Sequence, residues 1–138
     1  MAKPKVSGLG NSKGLKRVPL VEGDYLLECL EAEWTESRSG NPMLVLQHQV
    51  LDGDAQENGD SPNGRKLTNR MAVTEHQFTI DKLRNAVDAH DVAVTKGDTF
   101  DEKEFVGKQA EARVTVETYE AEDGSQRETN RIQYYYVE

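Results

Sequence analysis

The chain has 138 residues, 30% of them charged, with 17 basic against 25 acidic side chains and a net charge of −8. That length supports one hydrophobic core and leaves no room for a separate substrate domain, and the acidic balance is not the usual profile of a nucleic-acid binder. A single cysteine, Cys29, excludes an internal disulfide and a thiolate metal site, which suits a reducing cytoplasm, and no window reaches the roughly 18 apolar residues of a membrane span.

Charge is unevenly distributed. Residues 1–17 carry Lys3, Lys5, Lys13, Lys16 and Arg17 with no acid, a net +5, which leaves −13 for residues 18–138. Gly, Ser, Lys and Pro mix there without apolar periodicity, which predicts a flexible basic arm leading an ordered domain over 18–138. No apolar run follows the basic start, so no signal peptide is expected.

The first ordered run, "EGDYLLECLEAEW", reads as a strand. Leu26, Leu30, Ala32 and Trp34 share one parity and Tyr25, Leu27 and Cys29 the other, so the buried face must change partway, as a β-bulge would make it do. "SRSGNP" supplies turn residues, and "MLVLQHQVL" returns with Leu44, Leu46 and Val50 on one side and Met43, Val45, Gln47 and Gln49 on the other. His48 is expected near the sheet surface. After the polar loop "DGDAQENGDSPNG", the run "RKLTNRMAV" predicts a third strand.

The period then changes. Phe78, Leu83, Ala86 and Val87 fall near helical spacing, with Thr74 and Gln77 placed as a capping box, which predicts a helix over about 75–90. A short helical turn is expected at Asp101 to Phe105. "QAEARVTVETYE" alternates cleanly, an Asp123-Gly124 turn follows, and "RETNRIQYYYV" is the returning strand. The order β-β-β-α-β-β is that of a mainly β, five-stranded OB-like Greek-key barrel with one helix between strands 3 and 4.

Catalytic and metal motifs are not forthcoming. "GLGNSKG" has Lys13 where a dinucleotide or Walker loop requires glycine, and "DAQENGDSPNGR" opens like a calcium loop from Asp54 through Asn58 but ends in Arg65 where a bidentate Glu belongs. His48, His76 and His90 are not spaced as metal ligands, and no strand-turn-helix elbow presents a nucleophile. Neither enzyme activity, a cofactor nor a metal is expected.

What remains is flat rings and cations on strands. Trp34 and Arg38 flank the first hairpin; Lys66 and Arg70 sit four apart on strand 3; Arg113 and Tyr119 lie on strand 4, and Arg131 and Tyr135 on strand 5. Strict alternation groups Tyr134 and Tyr136 with Ile132 and leaves Tyr135 as the exposed ring. Single-stranded nucleic acid binds such surfaces because each base offers a π-face to an aromatic ring while cations follow the phosphates. The competing reading gives these residues to the core and to cross-strand ion pairs with Glu111, Glu117 and Glu128.

The runs "VEGDYLLECLEAEWTESRSGNPML", "GRKLTNRM", "FVGKQAEARVTVETY" and "TNRIQYYY" resemble a family of short bacteriophage proteins, DUF669, over about residues 18–137. The Ser39-Gly40-Asn41-Pro42 turn is the most specific piece of the likeness. The resemblance implies an OB-like barrel and a non-catalytic single-stranded DNA-binding role in phage replication or recombination, in the cytoplasm of an infected bacterium. Expected partners are single-stranded DNA, replication or recombination proteins and further copies of the chain, with no membrane. The alternative is an acidic interaction module or DNA mimic that docks a basic replication partner.

Overall fold

The computed structural model describes residues 2–11, 18–57 and 59–137. Of the expected basic arm, residues 2–10 are exposed and a 3-10 turn covers Leu9–Asn11, while Lys13, Lys16 and Arg17 lie outside the described residues, as do Asn58 of the calcium-like loop and Glu138.

Five antiparallel strands, β1 (Gly23–Glu36), β2 (Pro42–Gly53), β3 (Lys66–Ala72), β4 (Gln109–Glu120) and β5 (Gln126–Tyr135), form one sheet in the order β3-β2-β1-β4-β5. One helix, α1 (Gln77–Ala89), joins β3 to β4, with a 3-10 turn at Glu102–Phe105. The fold is therefore mainly β. Among the described residues no backbone ladder joins β3 to β5, so the sheet is open along that side, where the element order predicts a closed or nearly closed barrel.

The mixed parity of β1 has the anticipated cause. Its register against β2 shifts between Leu26 and Leu27 and again between Cys29 and Glu31, so Leu27 and Cys29 face inward before the second irregularity and Ala32 and Trp34 lie opposite the inner Leu46 and Leu44 after it. The second shift, where Leu30 is the extra residue of β1, turns the following β1 side chains over, whereas at the first the extra residue is Leu51 of β2, and Tyr25, Leu27 and Cys29 stay on one face. Near the start of the strand, Tyr25 lies flat against Gly53, where an added Cβ would stand 2.3 Å from the ring, so only glycine fits. The Tyr25 hydroxyl donates to the Val21 carbonyl at 2.6 Å, which ties the chain entering β1 to the sheet.

The core contains Leu27, Leu44, Leu46, Val50, Ala112, Val114 and Phe105, with Ala86 and Val87 from α1. His48 is also fully buried, contrary to the surface position expected, because it is the cross-strand partner of inward-facing Cys29 and of Leu67. Burial raises the Cys29 thiol to about 11, so it is protonated and unreactive at neutral pH.

The helix begins at Gln77 rather than 75, and the capping box does not form. His76 holds the N-cap without a side-chain bond, while Thr74 Oγ1 accepts the His76 N–H and pairs with Thr79, and Gln77 reaches forward to Asp81. The helix docks through Asn85, whose amide donates to the Tyr135 carbonyl and accepts the Tyr135 N–H, both at 2.8 Å, as a neighbouring strand would.

Candidate nucleic-acid interface

The open side of the sheet is held by side chains. Tyr135 at the end of β5 places its hydroxyl 2.7 Å from His48 Nε2 and receives a bond from Asn69 Nδ2 of β3 at 2.9 Å. The Tyr135 hydroxyl thus bridges His48 of β2 and Asn69 of β3. His90 stacks on His48 at 5.4 Å and lies within 2.7 Å of the Ala86 carbonyl through Nδ1, which fixes it as the Nδ1–H form. Among the described residues, His48 Nδ1 and His90 Nε2 are buried without a hydrogen-bond partner in bonding geometry.

Beyond this knot the edges of β3 and β5 diverge into a groove of about 700 Å³, with α1 along one side. Lys66 and Arg70 reach it from β3, Arg65 from the residue before β3, Lys82 from α1 and Arg131 from β5; the acids lining it are Glu117 and Glu128. Counted over the described residues, the lining thus carries a net +3 within a chain of −8. The two β3 cations occupy outward positions because their cross-strand partners are Gln49 and Val45, while Leu67, Asn69 and Met71 turn to the inner side. Lys82 and Arg131 are close enough to oppose one another. Burial holds the Lys82 ammonium below the usual lysine range, with Arg131 adding and Glu117 opposing. An anion placed between them would relieve that repulsion.

Two exposed rings line the groove, Tyr134 with 42% and Phe78 with 62% of their surface exposed. The exposed ring expected on β5 was Tyr135, and it is only 3% exposed. The register of β4 against β5 slips between Arg113 and Val114, so that Val114 faces Ile132 whereas Arg113 faces Tyr134. One extra β5 residue turns Tyr135 inward and Tyr134 outward. Tyr134 meets Tyr136 edge-on at 5.2 Å, and the Tyr136 hydroxyl donates to Asp24 at 2.7 Å.

Of the eight residues singled out from sequence, Lys66, Arg70 and Arg131 come together at the groove, with Arg131 also 3.5 Å from Glu117. Tyr135 lines its base as a buried bridge and has no free face for a base. The other four lie elsewhere. Trp34 packs on Phe100 at 5.6 Å near the β1–β2 turn that carries Arg38, Arg113 pairs with Asp24 at 3.5 Å, and Tyr119 is exposed opposite Arg127. Sequence reasoning missed Arg65, Lys82, Phe78 and Tyr134. The spacing of Phe78 and Lys82, one helical turn apart, was a usable signal; the bulge that exposes Tyr134 left none.

No curated protein matches the chain. The family described as protein of unknown function, DUF669, matches residues 10–137, nearly the whole length, and the chain therefore belongs to the DUF669 family.

Proposed function

We propose that this protein binds single-stranded DNA with little sequence preference along the groove between β3 and β5. The observation that carries the reading is the gathering of five cations and two exposed rings on one groove of an otherwise acidic chain. Cations on both walls follow a phosphate backbone, and Tyr134 and Phe78 offer faces on which successive bases stack. Such binding requires no nucleophile or metal. The strand circuit supports an OB-like identity, because β1 pairs with both β2 and β4 and the edges β3 and β5 meet around Tyr135. In this reading the Tyr135 knot takes the place of the backbone pairing that would close the barrel. The setting implied by the family likeness is phage replication or recombination in the bacterial cytoplasm.

Fluorescence titration with oligo-dT at low salt tests the assignment of the rings. Tyr134→Ala and Phe78→Ala should each weaken binding by about 1–3 kcal/mol while leaving the salt dependence unchanged. Trp34→Ala, off the groove, should leave affinity close to wild type. A large loss at Trp34 with none at Tyr134 or Phe78 would move the strand path to the first hairpin.

A further inference from the structure

The distal half of the β4–β5 hairpin does not contribute to the core. From Glu117 to Thr129 every residue is exposed except the partly covered Ala121, so both faces of this two-stranded ribbon meet solvent. Isolated two-stranded ribbons are marginal in water. This one is also acidic: Glu117, Glu120, Glu122, Asp123 and Glu128 against Arg127 give −4. That sign rules the ribbon out as a DNA-facing arm and matches it to a basic surface.

The ribbon also has a free backbone edge. The Ala121 N–H to Ser125 carbonyl bond sets the phase of the hairpin, which turns the backbone groups of Gln126 and Glu128 away from β4. A complementary edge exists on the same molecule. On β3, the Val50 N–H to Arg65 carbonyl and Val73 N–H to Pro42 carbonyl bonds direct the odd residues to β2, so the backbone groups of Lys66, Thr68 and Arg70 point into the groove. Among the described residues, the positive groove therefore presents a strand edge with no backbone partner and the negative ribbon presents another.

We propose that copies of this chain associate head to tail, the acidic ribbon of one pairing along the β3 edge in the cationic groove of the next. Strand addition supplies backbone hydrogen bonds, and Glu120, Glu122 and Glu128 facing Lys66, Arg70 and Lys82 set the register. The contact is heterologous, so it propagates into chains rather than closing as a two-fold dimer. Because the ribbon and single-stranded DNA would share the groove, DNA would compete with this contact.

Two charge-reversed proteins test the idea without DNA, which separates it from the DNA-binding reading. Glu120→Lys/Glu122→Lys/Glu128→Lys turns the ribbon from −4 to +2 and keeps a basic groove; Lys66→Glu/Arg70→Glu keeps the acidic ribbon and turns the groove from +3 to −1. In sedimentation velocity the wild type should grow in mass with concentration and each variant alone should remain a monomer. Their equimolar mixture should regain growth in mass with concentration as alternating chains, since the reversed ribbon of the first fits the reversed groove of the second and the acidic ribbon of the second fits the basic groove of the first. Circular dichroism and melting of each variant confirm that the fold is intact. A wild type that remains monomeric at all concentrations overturns the proposal, as does a mixture of folded variants that stays monomeric.

Discussion

Lowering the pH from 6.5 to 5 should cost the fold about 2 kcal/mol through His48 alone, from roughly 1.4 kcal/mol per pH unit for one withheld proton. Burial, with His90 acting in the same direction and the Glu28 carbonyl opposing, lowers the folded His48 to about 3 from its ordinary 6.5. Burial also lowers His90, against the pull of the Ala86 carbonyl. Both rings are therefore neutral in the folded state over a range where the unfolded chain takes up protons. The stability that they confer is complete above pH 6.5 and is lost as pH falls toward the folded value. Urea unfolding midpoints measured between pH 7 and 5 check this, and His48→Gln, which keeps an acceptor for Tyr135, should flatten the slope. A stability that stays constant from pH 7 to 5 would contradict the buried neutral pair.

Tyr135→Ala should be the most damaging single change at the open side of the sheet, costing about 3–5 kcal/mol as expected for a large aromatic ring removed from a core. The ring is packed edge-on against His90 at 4.9 Å, and its hydroxyl ties β5 to His48 of β2 and Asn69 of β3. Tyr135→Phe retains the packing but leaves His48 Nε2 and Asn69 without their shared partner, a loss of about 1–3 kcal/mol. Thermal or urea unfolding of the two variants separates packing from hydrogen bonding. Equal losses would assign the whole effect to the hydroxyl.

The element order was legible because hydrophobic period is a local property: alternation marked all five strands, helical spacing marked α1, and the doubled parity of Tyr25 to Trp34 announced a bulge. Open against closed was not legible, since closure depends on whether two distant edges approach, and here a tyrosine, a histidine and two asparagines take the place of the ladder. The groove was half legible. Lys66, Arg70 and Arg131 followed from alternation, while Arg65 and Lys82 join them only through the packing of α1 and the chain before β3. Tyr135 shows the limit most clearly, because a single extra residue in β5 reverses the face of each ring after it.

The groove reading is tested most directly by titrating oligo-dT against the wild type and Lys66→Glu/Arg70→Glu over a range of salt concentrations. If about four phosphates are neutralised, log affinity should fall with log salt with a slope near −3, from roughly −0.7 per contact on single strands. The doubly reversed protein should bind far more weakly, with its slope flatter by about 1.4. Natively folded wild type that shows no saturable binding at low salt, or a reversed variant whose affinity and slope equal the wild type's, would contradict single-stranded DNA binding in this groove.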